Sequence, residues 1–144
     1  MAKLKLDMEA MQEDFFADAA MIGIVSAAPG YHLCWLLNRH FDIEFARDPE
    51  QTISSRKKDN QFDFPIYQYL FPNSGYKYLL YKLKNSSESL LPETKQLDYL
   101  WMVQTVNPED DARQIINELR DLPDIQLAQL LSQEQLKSLN NLLV

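Results

Sequence analysis

The feature that most limits how this chain can fold is a pair of aromatic-rich runs, residues 62–71 and 76–83, separated by Pro72-Asn73-Ser74-Gly75. Both runs suit a strand, and turn formers between two such runs predict a β-hairpin. Because side chains alternate faces along a strand, Tyr67, Tyr69 and Phe71 share one face of the first strand, and Tyr76 and Tyr78 share one face of the second.

The rest of the chain supplies elements to surround that hairpin. Lys3-Leu4-Lys5-Leu6 alternates as a short edge strand, and Met21-Ile22-Gly23-Ile24-Val25-Ser26 reads as a buried one. After the Pro29-Gly30 break, residues 31–41 place Leu33, Leu36, Leu37 and either His40 or Phe41 along one helical stripe. Tyr31, Cys34 and Trp35 lie off that stripe, so the helix is expected to be covered by the sheet and by a second body such as another subunit. A short strand over residues 43–47 and a mobile polar loop over residues 48–61 come next. Residues 97–106 read as a central strand. Asn107 as N-cap, Pro108 at the first helical position and Glu109, Asp110 and Asp111 at the positive end of the dipole start the second helix. Its apolar stripe is Ala112, Ile115, Ile116, Leu119 and Leu122. A last strand over residues 125–130 and a short C-terminal helix opened by Ser132 and Gln135 complete the order. This succession predicts one α+β domain over residues 1–144: a mostly antiparallel sheet of five to six strands with two helices on one face. A ferredoxin-like split arrangement with an inserted hairpin is the specific expectation.

One segment is not reducible to composition. Leu91-Pro92-Glu93-Thr94-Lys95-Gln96-Leu97-Asp98-Tyr99 resembles, with Leu at both apolar positions, the signature of the bacterial IPExxxVDY family. Tyr31-x-Leu33-Cys34-Trp35-x-Leu37-Asn38 before a short apolar strand, and the ending at Leu142 and Leu143, are similar to the family pattern too. The resemblance covers most of the chain and implies a shared fold, with the first core strand starting near Phe16. It implies no activity, because the family has none assigned.

Composition narrows the function classes. With 144 residues, 46% hydrophobic and 24% charged, the chain is long enough for one core and unlike a disordered tail. A net charge of -7 works against nucleic-acid partners, whose binding comes largely from basic groups at phosphates. A single cysteine, Cys34, excludes an intramolecular disulfide and a thiolate-rich zinc site, which suits a reducing compartment. With no signal-like start and no run of about 18 apolar residues, the expectation is a cytoplasmic protein without membrane contact.

Glu93 and Asp98 are the paired acids of the signature, and such pairs can divide general-acid and general-base roles. The plainer reading has Pro92 fixing an extended approach, Glu93 accepting backbone hydrogen bonds and Asp98 holding a loop or an Arg. The plainer reading is preferred, because no companion nucleophile or glycine-rich loop accompanies the acids. His32 and Cys34, two apart on a helix, point to different sides, so no metal site is expected from them or from His40. Tyr67, Tyr69, Tyr76 and Tyr78, with Lys77, Lys82 and Lys84 nearby and Arg56-Lys57-Lys58 upstream, could stack single-stranded bases. An amphipathic or dimer-buried sheet face fits the charge better. With three glycines, phosphate-cradling loops have little to be built from.

The sequence therefore points to a non-enzymatic interaction or ligand-binding protein, without cofactor, acting as a homodimer or with another protein. Trp35 and the four hairpin tyrosines are its candidate binding residues. A small enzyme using Glu93 and Asp98, and single-stranded nucleic-acid binding through the hairpin, are the alternatives.

Overall fold

The computed structural model describes residues 19–47, 52–57, 60–85, 88–91 and 94–132. In chain order these form β1 (Ala19–Val25), α1 (Gly30–Phe41), β2 (Ala46–Arg47), β3 (Ile53–Lys57), β4 (Asn60–Phe64) and β5 (Ile66–Leu70). They continue with β6 (Lys77–Lys82), β7 (Lys84–Asn85), β8 (Glu88–Ser89), β9 (Tyr99–Gln104), α2 (Pro108–Leu119) and β10 (Leu127–Leu131). The expected edge strand at Lys3-Leu4-Lys5-Leu6, a start of the first core strand near Phe16 and the C-terminal helix after Ser132 lie outside the described residues.

Six strands make one sheet in the order β10-β1-β9-β6-β5-β2, and every neighbouring pair is antiparallel. Helices follow β1 and β9, so β10-β1-β9-β6 is the split βαβ order of a ferredoxin-like fold, extended past β6 by β5 and β2. The class is α+β, as the order of sequence periods predicts.

Alternation along the central strands sorts their apolar residues into two cores. Ile22, Ile24, Leu80, Tyr99, Trp101 and Val103 face α1 and α2. Met21, Ile66, Leu79, Tyr81, Leu100 and Met102 face the other way, under Phe64, Leu83, Leu90, Leu91 and Leu97. Burial on both sides explains the nearly continuous apolar runs of β1 and β9.

Each helix adds its own stripe to the first core. In α1 the buried set is Gly30, Leu33, Cys34 and Leu37, spaced three and four apart. Leu33 and Leu37 are buried as expected, but Cys34 belongs to the stripe in place of Leu36, which is only half-buried. Gly30 is needed for close approach, since a Cβ there would fall on the Tyr67 hydroxyl. At the other end, Asn38 clasps the chain leaving the helix: its Nδ2 donates to Phe45 O at 3.1 Å and its Oδ1 accepts from Phe45 N at 2.6 Å. α2 begins with Pro108 at its first turn, as predicted, but Asn107 makes no side-chain capping bond. Thr105 Oγ1 donates to Asp111 Oδ2 at 2.6 Å instead, tying the end of β9 to the helix. Ala112, Ile115, Ile116 and Leu119 are buried beneath it.

Two expectations from the middle of the chain are corrected. Residues 53–57, read as part of a mobile loop, are β3, paired with β4 from Ile53↔Phe64 to Lys57↔Asn60. The sequence signal was weak because β3 has little apolar character of its own; Ile53, Phe62 and Phe64 fasten the hairpin onto the second core. The single strand expected over residues 62–71 is broken at Pro65, which has no N–H for a ladder; its carbonyl accepts from Lys82 N at 3.1 Å.

The β5–β6 turn closes through Phe71 N donating to Tyr76 O at 3.1 Å, and Asn73 takes the left-handed conformation at φ 59°. Gly75 has no positive φ, and an added Cβ there meets nothing within 4 Å. Gly75→Ala is therefore expected to be neutral or stabilising by up to about 1 kcal/mol through the unfolded chain, measured by urea denaturation. Asn73→Val, forced into a conformation that a branched residue resists, is expected to destabilise.

Candidate functional site

Leu97 packs over Gly23 of β1, and the chain turns there so that Asp98 emerges at the end of the sheet. The Asp98 backbone spans two strand ends, with its N donating to Ile24 O and its O accepting from Leu83 N, both at 2.9 Å. That places the carboxylate beside the β1–α1 connection, residues 26–29. Asp98 Oδ2 accepts from Ser26 N at 2.9 Å, and Oδ1 pairs with Lys84 Nζ at 3.0 Å. The next residue holds the same connection from below: Tyr99 Oη donates to Ala28 O at 2.6 Å. Ser26 Oγ donates to Asp124 O at 2.7 Å and accepts from Ala28 N at 3.2 Å, which fixes the other side.

These contacts outline a half-open cleft of about 230 Å³, lined by residues 26–29, Lys82, Lys84, Asp98 and Tyr99. Register brings the wall together, since Tyr99 lies between Ile24 on β1 and Lys82 on β6. The lining carries two ammonium groups and one carboxylate, a balance of +1 (2 − 1) on a chain of net charge -7. The first turn of α1 opens beside it through Pro29, with no acidic residue and no side-chain cap.

Of the two signature acids, Asp98 lines this cleft and Glu93 lies outside the described residues. Tyr67, Tyr69 and Tyr78 are half-buried on the helix side of the sheet and pack on the first core. Tyr69 and Tyr78 sit among rings: Tyr78 lies 5.2 Å from Trp101, 4.8 Å from Phe71 and 6.3 Å from Tyr69. Tyr76 at the turn stays exposed. Trp35 is 53% exposed and Tyr31, one turn before it, 77%; these values separate the outward face of α1 from its buried stripe. His32 stacks on Trp35 at 6.0 Å, and the Arg39 guanidinium sits 5.3 Å from the Trp35 ring. The side chains of Arg56 and Lys57, and all of Lys58, lie outside the described residues.

The remaining polar candidates have structural partners. His40 Nε2 reaches Glu118 Oε1 at 3.7 Å, joining α1 to α2. Burial pushes the Cys34 thiol up to about 12, so it is protonated and inert at neutral pH. Among the described residues no group of three His, Cys, Asp or Glu is placed to hold a metal ion.

The sequence did not point to residues 26–29, and Lys82 and Lys84 stood out only as basic neighbours of the hairpin tyrosines. The available signals were two lysines at the end of a predicted strand and the small residues Ala27-Ala28 before a helix. No protein-family model, curated protein or solved structure matches the chain.

The site also carries a pH dependence. Burial raises the phenols of Tyr99 and, in the second core, Tyr81; Tyr67, Cys34 and Asp98 add to the shift at Tyr99. A raised folded value favours the neutral phenol, so its stabilisation is complete below the unfolded value near 10 and is lost as pH rises through the folded value. Above pH ~10, stability is expected to fall by about 1.4 kcal/mol per pH unit for each of these two tyrosines, measured as urea midpoints at pH 9 and 11.

Proposed function

We propose that this chain is a non-enzymatic binding protein of the IPExxxVDY type, which takes a small ligand in the cleft at Asp98 and Tyr99. One observation carries the reading: the most distinctive stretch of sequence, Leu97-Asp98-Tyr99, contributes both Asp98 and Tyr99 to that cleft. The Asp98 carboxylate is engaged by the Ser26 amide and Lys84, the arrangement of a group that shapes a site. A general base instead needs its carboxylate turned towards the proton it takes. Support for the hairpin as a nucleic-acid platform is weaker, because Tyr69, Phe71 and Tyr78 meet edge-to-face or tilted among themselves and the chain is acidic.

The test is a thermal-shift screen of anionic, neutral and cationic metabolites against the full chain and a plug variant, Ala27→Phe. Ala27 lines the cleft and is exposed, so a ring there occupies the space without entering a core. A compound that raises the Tm of the parent and leaves the plug variant unmoved supports the reading. Stabilisation indifferent to the plug, or none by any class, sinks it.

The exposure of Tyr31 and Trp35 favours an additional reading, a contact with a second copy or another cytoplasmic protein on the outward face of α1. Sedimentation velocity of the parent and Trp35→Ser tests the homodimer. An assembly reduced to monomer by the substitution is the expected result, and a monomeric parent removes the homodimer.

A further inference from the structure

The ligand class follows from the charges in the cleft wall, and it rests on the cleft being the binding site. We infer that the cleft takes a small anion, a phosphate or carboxylate group held by the Lys82 ammonium, while Lys84 is committed to Asp98. The Lys84–Asp98 pair, at 3.0 Å, neutralises its own charges. Asp98 Oδ2 is further satisfied by the Ser26 amide at 2.9 Å, so the carboxylate is not left to repel a second anion across the cleft. Lys82 then supplies the unbalanced charge of the described lining, opposite in sign to the chain as a whole. A concave wall focuses the field of such a charge relative to an open surface.

Size limits the ligand further. A space of about 230 Å³ is below the range of about 300–1,000 Å³ for drug-sized ligands, so it suits a compact metabolite or the head group of a longer one. Other donors lie at the same wall. Lys84 has N–H groups beyond the one facing Asp98, and the Tyr99 and Ser26 hydroxyls are already spent as donors on Ala28 O and Asp124 O. The wall thus offers ammonium protons and few hydroxyl protons, a preference for anionic oxygen over neutral sugar or amide.

Calorimetric titration of the full chain with inorganic phosphate, succinate and glycerol tests this, alongside Lys82→Met and Lys82→Arg. Methionine keeps the apolar stem, so the fold should persist while the charge is lost. The expected result is saturable binding of phosphate or succinate, weakened about tenfold or more in Lys82→Met, largely retained in Lys82→Arg and reduced by added salt. Binding of phosphate alone assigns a phosphate group, and binding of succinate alone a carboxylate. Failure of both anions to saturate, or binding unchanged in Lys82→Met, overturns the anion assignment. In that event a neutral or cationic compound displaced by the Ala27→Phe plug leaves the cleft reading intact, whereas no such compound ends both.

Discussion

Trp101→Ala is expected to destabilise the protein by about 3–5 kcal/mol, the range for deleting a buried indole from a packed core. Trp101 is fully buried in the middle of β9 and is enclosed by rings from three other segments. Phe41 lies at 5.3 Å with an interplanar angle of 84°, Phe45 at 5.1 Å and 79°, and Tyr78 at 5.2 Å and 71°. Edge-to-face packing of this kind adds to the burial itself. The alanine variant therefore loses the ring that joins the end of α1, the chain after it and β6. Trp101→Phe should behave differently. The Trp101 Nε1 hydrogen has no acceptor among the described residues, so a phenyl ring removes an unsatisfied donor together with part of the ring. The two changes oppose each other, and the loss should be no more than about 1–2 kcal/mol. Urea denaturation of both variants separates the effects. A phenylalanine variant as unstable as the alanine one would contradict this account of the core.

The second large effect links the signature to the sheet. Leu97→Ala is expected to cost about 2–5 kcal/mol, because Leu97 is fully buried in the second core. Gly23→Ala alone should cost about 1–3 kcal/mol by overpacking. A Cβ at Gly23 would lie 2.7 Å from Leu97 Cδ1 and 3.2 Å from Leu131 Cδ2, and β1 is held between β9 and β10. The double variant is the informative one. Removing the leucine opens the space that the new methyl needs, so its loss should fall short of the sum of the single losses by about 1 kcal/mol or more. Simple additivity would show that Leu97 and Gly23 are not one packing unit.

The elements legible in the sequence were those that encode their own geometry. Pro108 and the acids after it mark the start of α2, and Pro72-Asn73-Ser74-Gly75 marks a turn, each within a few residues. β9 read as central because burial on both faces leaves a run of apolar residues. What failed depended on neighbours far along the chain. The buried stripe of α1 takes Cys34 rather than Leu36, a choice that the helix's own periodicity does not make. The cleft was illegible for the same reason: Ser26 and Asp98 are 72 residues apart, and only the register of β1 with β9 brings them within hydrogen-bond distance. Asp98 was picked out by its motif, while Lys84, its partner, looked like a surface lysine on a hairpin.

The most direct measurement of the central claim is a ¹H–¹⁵N correlation map of the full chain with the compound that gives the largest thermal shift. The perturbed amides are expected to cluster at residues 26–28, Lys82, Lys84, Asp98 and Tyr99, with the Trp35 indole signal unmoved. Perturbations centred on Trp35 and the outward face of α1, or scattered over the surface without a cluster at Asp98 and Tyr99, would contradict it.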